Sequence, residues 1–206
     1  MTVAEGIVTK REPQRLMLHR SVDEHIADIA QRNLTLISPH MRRVATLAAR
    51  IATTMGYSLK DCMRVAEGGL FHDIGKNHVK ARAWLAKHRG VDLSPDAVRP
   101  FRVLHSKLGQ AMVIEANLRG VISSSEDLAL VCRCHHHHYR RLIERMRRVI
   151  APIQVADSFD AATIASGEHC HGTISPAQAI EELLRCSQER ICQQEAVNAL
   201  VLCESV

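Results

Sequence analysis

Four serines mark where this chain can start helices. Ser38, Ser94 and Ser175 each stand directly before a proline, and Ser58 stands before Leu59. A serine hydroxyl caps the first free amides of a helix, and a proline in the first helical position forfeits no hydrogen bond. Ser175 with Gln178 has the spacing of a capping box, and Ser58 with Asp61 resembles one. Apolar residues then recur at intervals of three and four: His40, Val44, Leu47, Ala48 and Ile51; Cys62, Val65, Ala66 and Leu70; Ile180, Leu183 and Leu184. Aromatic residues are only 3% of the chain, so its core must be Leu, Ile, Val, Ala and Met, which favours packed helices over a sheet. No alternating pattern of useful length and no internal repeat occurs. The expected fold class is all-α.

The expected helices are 21–35, 39–56, 59–73, 78–88, 95–118, 125–139, 141–165, 176–188 and 191–203. The breaks between them are short, and none has the character of an interdomain linker. We read residues 1–19 as a flexible N-terminus and 20–206 as a single domain. Seven cysteines, an odd number with no Cys-x-x-Cys pair, point to reduced thiols. No apolar run approaches the ~18 residues that span a bilayer. The first fifteen residues are too polar for a secretory leader. These features point to a cytoplasmic protein with no membrane contact.

Thirteen histidines are the unusual count. At neutral pH imidazoles are mostly uncharged and ready to bind metal. His40, the pair His72-Asp73, His105, the pair His135-His136, and Asp157 each fall on or at the end of an expected helix. Any one of them alone reads as a surface or core residue; their joint order is what points to a metal centre. Adjacent His and Asp at a helix end are only about 100° apart around the axis, so both can face one centre. A carboxylate can bridge two cations while imidazoles fill terminal positions, and this donor set suits Fe, Mn, Zn or Ni rather than Ca. Two such ions about 3.5–4 Å apart polarise a phosphoryl oxygen and make hydroxide available near neutral pH. The net charge of +5 suits an anionic ligand. The five arginines inside 139–149 read first as a solvated helix face, and otherwise as a positive rim for a phosphate-bearing substrate.

The context of these residues resembles a family. His40, Arg43 and Val44 resemble the HxxRV opening of HD-GYP domains, and Leu70 with the run from His72 to Lys76 resembles their LHDIGK segment. His105 and Gly109 resemble HPxxG, His135-His136 the helix carrying HHE, and the run from Val155 to Ala161 resembles VADxFDA. The helix beginning at Ser175 is also similar. The resemblance, which runs from about residue 21 to the C-terminus, implies an HD-domain helical bundle around a binuclear metal site. It implies as ligands His40, His72, Asp73, His105, His135, His136 and Asp157, with Asp73 bridging two divalent transition-metal ions, Fe or Mn before Zn or Ni. It also implies Lys76 as the residue that holds a substrate phosphate, and Asp73 and Lys76 as the catalytic pair.

The chain departs from the family where the glutamate after the paired histidines is replaced by His137, and where a basic stretch at 139–148 stands for the Gly-Tyr-Pro loop. Residues 167–173 stand where RPYR occurs, and Leu36 stands where a third-metal glutamate can occur. These departures argue for two ions rather than three and against cyclic-di-GMP as the preferred substrate. The leading function is a phosphohydrolase or phosphodiesterase acting on a nucleotide or cyclic dinucleotide through a metal-bridging hydroxide, with Arg140, Arg141 and Arg145 as further substrate contacts. The alternatives are a degenerate binding or signalling domain without turnover, and a di-iron oxygenase. The expected partner is a phosphate-bearing small molecule, and a homodimer is allowed. Nucleic acid ranks low because only Tyr139 offers a base an aromatic face near the arginines. Glu168, His169, Cys170 and His171 lack tetrahedral ligand spacing and read as a polar loop.

Overall fold

The structure is a computed structural model that describes residues 5–32, 35–89, 91, 93–119, 126–164, 173–189 and 191–204. Among the described residues there are nine α-helices, two short 3-10 turns and no strand. The helices are α1 (Glu5–Arg32), α2 (Pro39–Thr54), α3 (Leu59–Phe71), α4 (Val79–Lys87), α5 (Pro95–Leu118), α6 (Glu126–Cys134), α7 (Glu144–Thr163), α8 (Pro176–Gln188) and α9 (Gln194–Glu204). The 3-10 turns are Ile74–Asn77 and Tyr139–Arg141. The all-α class is therefore the observed one.

All four serines cap as expected. Their hydroxyls accept from the backbone of Met41, Asp61, Ala97 and Gln178. Ser175 and Gln178 complete the reciprocal box. At Ser58 the second half is different: the Asp61 carboxylate takes the serine hydroxyl at 2.8 Å.

α2 and α3 form an antiparallel hairpin at the centre. α2 ends in a Schellman turn, with Gly56 N–H donating to Thr53 and Tyr57 N–H to Ala52, each at 3.0 Å. Gly56 has φ 79°, a conformation that needs a residue without Cβ. The facing sides are small. A Cβ on Gly69 would lie 2.7 Å from Ala45 Cα, so the two backbones meet along an Ala/Gly seam. His40 lies sixteen residues before Gly56 and His72 sixteen after, so the arms match and both rings arrive at the same end.

α7 packs on α2, α3 and α6, with α8 and α9 behind it. Its buried residues, among them Met146, Ile150, Ile153 and Phe159, join Val44, Ile51, Val65 and Leu70 in one aliphatic core. α5 packs on α6 and against the turn Ile74–Asn77. That last contact depends on two glycines. A Cβ on Gly75 would fall 1.9 Å from the His105 carbonyl oxygen and 2.5 Å from Gly109 N. The turn after Asp73 can approach α5 only because Gly75 has no side chain.

Several expected boundaries move. The first helix starts at Glu5 rather than 21, and its Val22, Ile26 and Ala30 stripe is buried against the hairpin. The helix expected over 125–139 stops at Cys134, where His137 N–H closes a turn on the Cys134 carbonyl at 2.8 Å. The helix expected from 141 begins at Glu144, because Leu142 is extended and buried in the core. The basic stretch over 139–148 is therefore not one continuous helix. The last helix starts at Gln194, not 191, since the Ile191 carbonyl is taken by Tyr139 N–H at 2.7 Å.

The close approach at Gly75 gives a direct test. Gly75→Ala drives a methyl into backbone that cannot rotate away, and overpacking of this kind costs about 1–3 kcal/mol. We expect a loss at the upper end of that range in denaturant unfolding of the metal-free protein. A change within about 0.5 kcal/mol, the scale of an ordinary surface substitution, would show that the turn and α5 are not locked there.

Candidate metal centre

Five elements bring their polar residues to one end of the hairpin. His40 comes from the first turn of α2, His72 and Asp73 from the end of α3, and His105 from the middle of α5. His135 and His136 follow the last turn of α6, and Asp157 comes from α7. His40, His72, Asp73, His105 and His135 are all buried. Asp73 lies at the middle. Its Oδ2 is 3.6 Å from His40 Nε2 and 3.4 Å from His72 Nε2. Its Oδ1 is 3.2 Å from His105 Nε2 and 3.6 Å from His135 Nε2. Asp157 Oδ1 lies 3.1 Å from His40 Nε2 and 3.6 Å from His72 Nε2.

The donor atoms form two groups that could each hold an ion. One is His40, His72 and Asp73; the other is Asp73, His105, His135 and His136. Asp73 belongs to both, and Asp157 borders the first.

Hydrogen bonds on the far side of the rings decide which nitrogen faces inward. A carbonyl oxygen only accepts, so the ring nitrogen against it carries the proton. His72 Nδ1 donates to the Gly69 carbonyl and His105 Nδ1 to the Phe101 carbonyl, both at 2.8 Å. His135 Nδ1 donates to the Cys132 carbonyl at 3.0 Å. His40 Nδ1 meets the Asp160 carboxylate at 2.7 Å. In each case Nε2 points into the centre, the orientation that metal-ligating imidazoles use once that nitrogen has no proton.

The residues present fit metal ions. His72 Nε2 and Asp73 Oδ1 are buried and make no hydrogen bond. His105 Nε2 lies 3.0 Å from His136 Nε2 and 3.4 Å from His135 Nε2. Two nitrogens bound to one cation at about 2.1 Å sit about 3.0–3.4 Å apart, so this spacing is that of ligands around an ion.

The charges agree with the geometry. Burial opposes ionisation of Asp73, but Lys76 and His72 hold its carboxyl well below the usual range. Burial likewise opposes the charge on Asp157, and His40 and His72 keep it ionised. Burial also works against a charged His40, yet hydrogen bonds to Asp157 and Asp160 carry it up to about 9. His72, equally against its burial, is carried to about 10 by Asp73 and Asp157. His135 and His136 are pushed the other way by burial, which keeps both rings neutral.

A family model described as HD domain matches residues 37–162, well over half of the 206-residue chain. The chain belongs to the HD-domain family. The match begins just ahead of His40 and ends just after Asp160, so it encloses every residue of the centre. HD-domain proteins are in general metal-dependent hydrolases, and the paired residues of the name stand here as His72 and Asp73. A search of curated proteins found no match to the chain.

Around the HD centre the other expected residues fall unevenly. Lys76 Nζ pairs with Asp73 Oδ2 at 2.6 Å, which places its charge at the centre. His137 is exposed, and His138 enters neither donor group. Arg140 and Arg141 sit exposed on the Tyr139–Arg141 turn, and Arg145 is exposed in the first turn of α7. Burial first, and then nearby Arg133 and Arg141, hold His137 below its ordinary value. The other two of the five arginines lie over aromatic rings: Arg147 is 5.3 Å from the Tyr139 ring and Arg148 4.8 Å from that of Tyr57. Glu168, His169, Cys170 and His171 lie outside the described residues. Among the described residues no helix is long and apolar enough to cross a membrane.

Three contributors carry no role in the sequence reading. Asp160 holds His40 Nδ1, and Arg43 grips the same carboxylate through Nε at 2.7 Å and Nη2 at 2.9 Å. Burial opposes the charge on Asp160, but His40 and Arg43 keep its carboxyl below the usual range. Gln154 Nε2 donates to the His135 carbonyl at 2.9 Å and also to that of His137. The available signal was the spacing of three from Gln154 to Asp157 to Asp160, which places all three along one side of α7.

The raised histidines make a pH prediction. In the metal-free protein, charge on His40 and His72 adds stability that is complete below the ordinary value of 6.5 and is lost as pH rises through about 9 to 10. A cation must displace those protons to reach the same nitrogens. Metal binding near neutral pH should therefore release protons, and the metal-induced rise in Tm should grow from about pH 6 to 9. Calorimetry in two buffers of different ionisation enthalpy counts the protons. No release, together with a pH-independent Tm increment, would contradict the charge states assigned here.

Proposed function

We propose that this chain is a metal-dependent phosphohydrolase that cleaves a phosphoester of a nucleotide, and that its residues 20–206 act as one domain. The observation that carries the reading is the buried Asp73 carboxylate shared by two histidine-rich donor groups, with a lysine ammonium against it. Two divalent transition-metal ions, when bound, supply Lewis acidity for a phosphoryl oxygen and a lowered pKa for water. Histidine with carboxylate favours Fe or Mn, with Zn or Ni possible on the same donors. Two donor groups among the described residues, and Leu36 where a further acidic ligand would stand, favour two ions over three.

The chain's own residues do the rest. Asp73 ties the two halves at a fixed separation, and His40, His72, His105, His135, His136 and Asp157 complete the donor set. The Asp157 and Lys76 side chains are each 18% exposed, whereas those of Asp73, His72, His105 and His135 are 5% or less. Substrate therefore approaches from the Asp157 and Lys76 side, and the opposite wall excludes water. Lys76 can exchange its ion pair with Asp73 for a phosphoryl oxygen, and so orients the ester as it enters. Arg140, Arg141 and Arg145 offer further positive charge to an anionic substrate. Lys76 at the centre is what favours phosphate chemistry over an oxygenase reaction on the same ligands.

Asp73→Ala should lose both ions and all turnover, because both donor groups contain it. Lys76→Ala should keep its metal content and lose about a hundredfold in kcat/KM, the scale of removing one charge-stabilising donor. Metal analysis beside a steady-state assay separates the two variants. Equal turnover in Lys76→Ala and the unsubstituted protein would remove the phosphate-holding role.

Selectivity gives the broader test. On the resemblance to HD-GYP domains, whose Gly-Tyr-Pro loop would fall at the basic turn here, we expect permissive cleavage of a chromogenic phosphodiester and poor turnover of cyclic-di-GMP. Binding should weaken with salt, since exposed charges are screened within about 10 Å at 0.1 M. The comparison uses Mn²⁺- or Fe²⁺-loaded protein at low and high salt. Efficient, selective hydrolysis of cyclic-di-GMP would overturn the permissive reading, and no hydrolysis of any phosphoester by the loaded protein would overturn the enzymatic one.

A further inference from the structure

α7 supplies one residue to the centre directly, Asp157, yet it reaches the centre's other parts as well. Gln154, Asp157 and Asp160 recur every three residues and climb one side of the helix. The outer two point to opposite ends of the donor set. Asp160 touches the back of His40, a member of the first group only. Gln154 touches the backbone of His135 and His137, which brackets His136; both paired rings belong to the second group only.

We propose that Gln154 and Asp160 are positioning residues with divided duties: Asp160 sets the His40–His72–Asp73 half and Gln154 sets the His105–His135–His136 half. The proposal rests on the metal-binding reading above. The two act by different physics. Asp160 is an anion against a ring N–H, so it locks the tautomer that presents Nε2 and makes that nitrogen a better donor. Arg43 holds the carboxylate from its other side in a two-point grip, which leaves it one orientation toward His40. Gln154 is neutral and touches no ring, so it acts through geometry alone. α6 has ended at Cys134, and the carbonyls beyond a helix end have no partner of their own. One amide NH₂ takes two of them and fixes the turn on which the His135 and His136 rings are mounted. The 3.0 and 3.4 Å spacings of those rings to His105 follow from that turn.

The duties are separable because the two groups share only Asp73. Loss of either positioning residue should weaken one ion and spare the other. Losing an outer partner of a ligating histidine typically costs about ten- to a hundredfold in metal affinity, and that is the size expected for each.

The test titrates chelator-stripped full-length protein with Zn²⁺ against a competing chelator, and follows ¹⁵N-labelled histidine side chains by NMR. The unsubstituted protein should take two ions. Asp160→Asn should keep the tight ion on His105, His135 and His136 and weaken the other, with the His40 and His72 ring signals reverting toward the metal-free state. Gln154→Leu should do the reverse, and the double variant should weaken both. Arg43→Gln and Gln154→Glu serve as second variants, the first freeing Asp160 and the second keeping size but removing the N–H donors. Melting of the metal-free proteins shows which variants fold, and the titration is read on those. If each substitution weakens both ions equally, or neither, the divided duties are wrong. If the unsubstituted protein takes up no ion, the metal-binding reading itself has failed.

Discussion

A carboxylate in a closed interior stays ionised only if positive or hydrogen-donating groups surround it. Asp73 is 4% exposed, and the arrangement around it answers that demand. Lys76 supplies an ammonium at 2.6 Å, and four imidazole edges stand within 3.6 Å of its two oxygens. His72 and Lys76 flank Asp73 in one stretch, the other three imidazoles come from three more, and Asp157 comes from α7, so the fold has to deliver five segments to one point. Two of the imidazoles carry protons and one is held neutral, which gives the metal-free centre a charge imbalance of its own. A cation bound there would meet nitrogens already aimed by bonds on the opposite side of each ring.

The small residues explain how five segments can meet. Bulk along α2 and α3 would hold the hairpin arms apart, but Ala45 and Gly69 let them touch backbone to backbone. A side chain at position 75 would push the turn carrying Lys76 off α5, and with it the spacing between Asp73 and His105. The candidate metal ligands are conspicuous polar residues, yet their placement is decided by residues with almost no side chain.

Much of this was legible in the chain because it is local. A serine before a proline specifies a helix start through its own hydroxyl, and Ser38, Ser94 and Ser175 behave so. The order of His40, His72-Asp73, His105, His135-His136 and Asp157 marked the centre, because few other uses bring these residues together in helical context. What stayed hidden depends on direction in three dimensions. Leu142 ends one run of turns and Glu144 begins another because the core needed an aliphatic group there. Arg147 and Arg148 sit in the same basic stretch as Arg145, but lie over Tyr139 and Tyr57 rather than simply lining a solvated face. Asp160 lies inside the segment that resembled VADxFDA, but a second aspartate one turn beyond a ligand does not announce which ring it will hold. Gln154 has no chemical signature at all until α6 is seen to end beside it.

The equal arms of the α2–α3 hairpin have a consequence for how such a chain can change. A residue inserted between His40 and Gly56 would carry its ring about 1.5 Å along the axis and about 100° around it. No rotamer of an imidazole recovers both displacements. The arms thus behave like the blades of a pair of shears, whose tips meet only while the two lengths match. Variation in length is confined to the pivot at residues 56–58 and to segments beyond the tips, while substitutions that keep the count remain open along both blades.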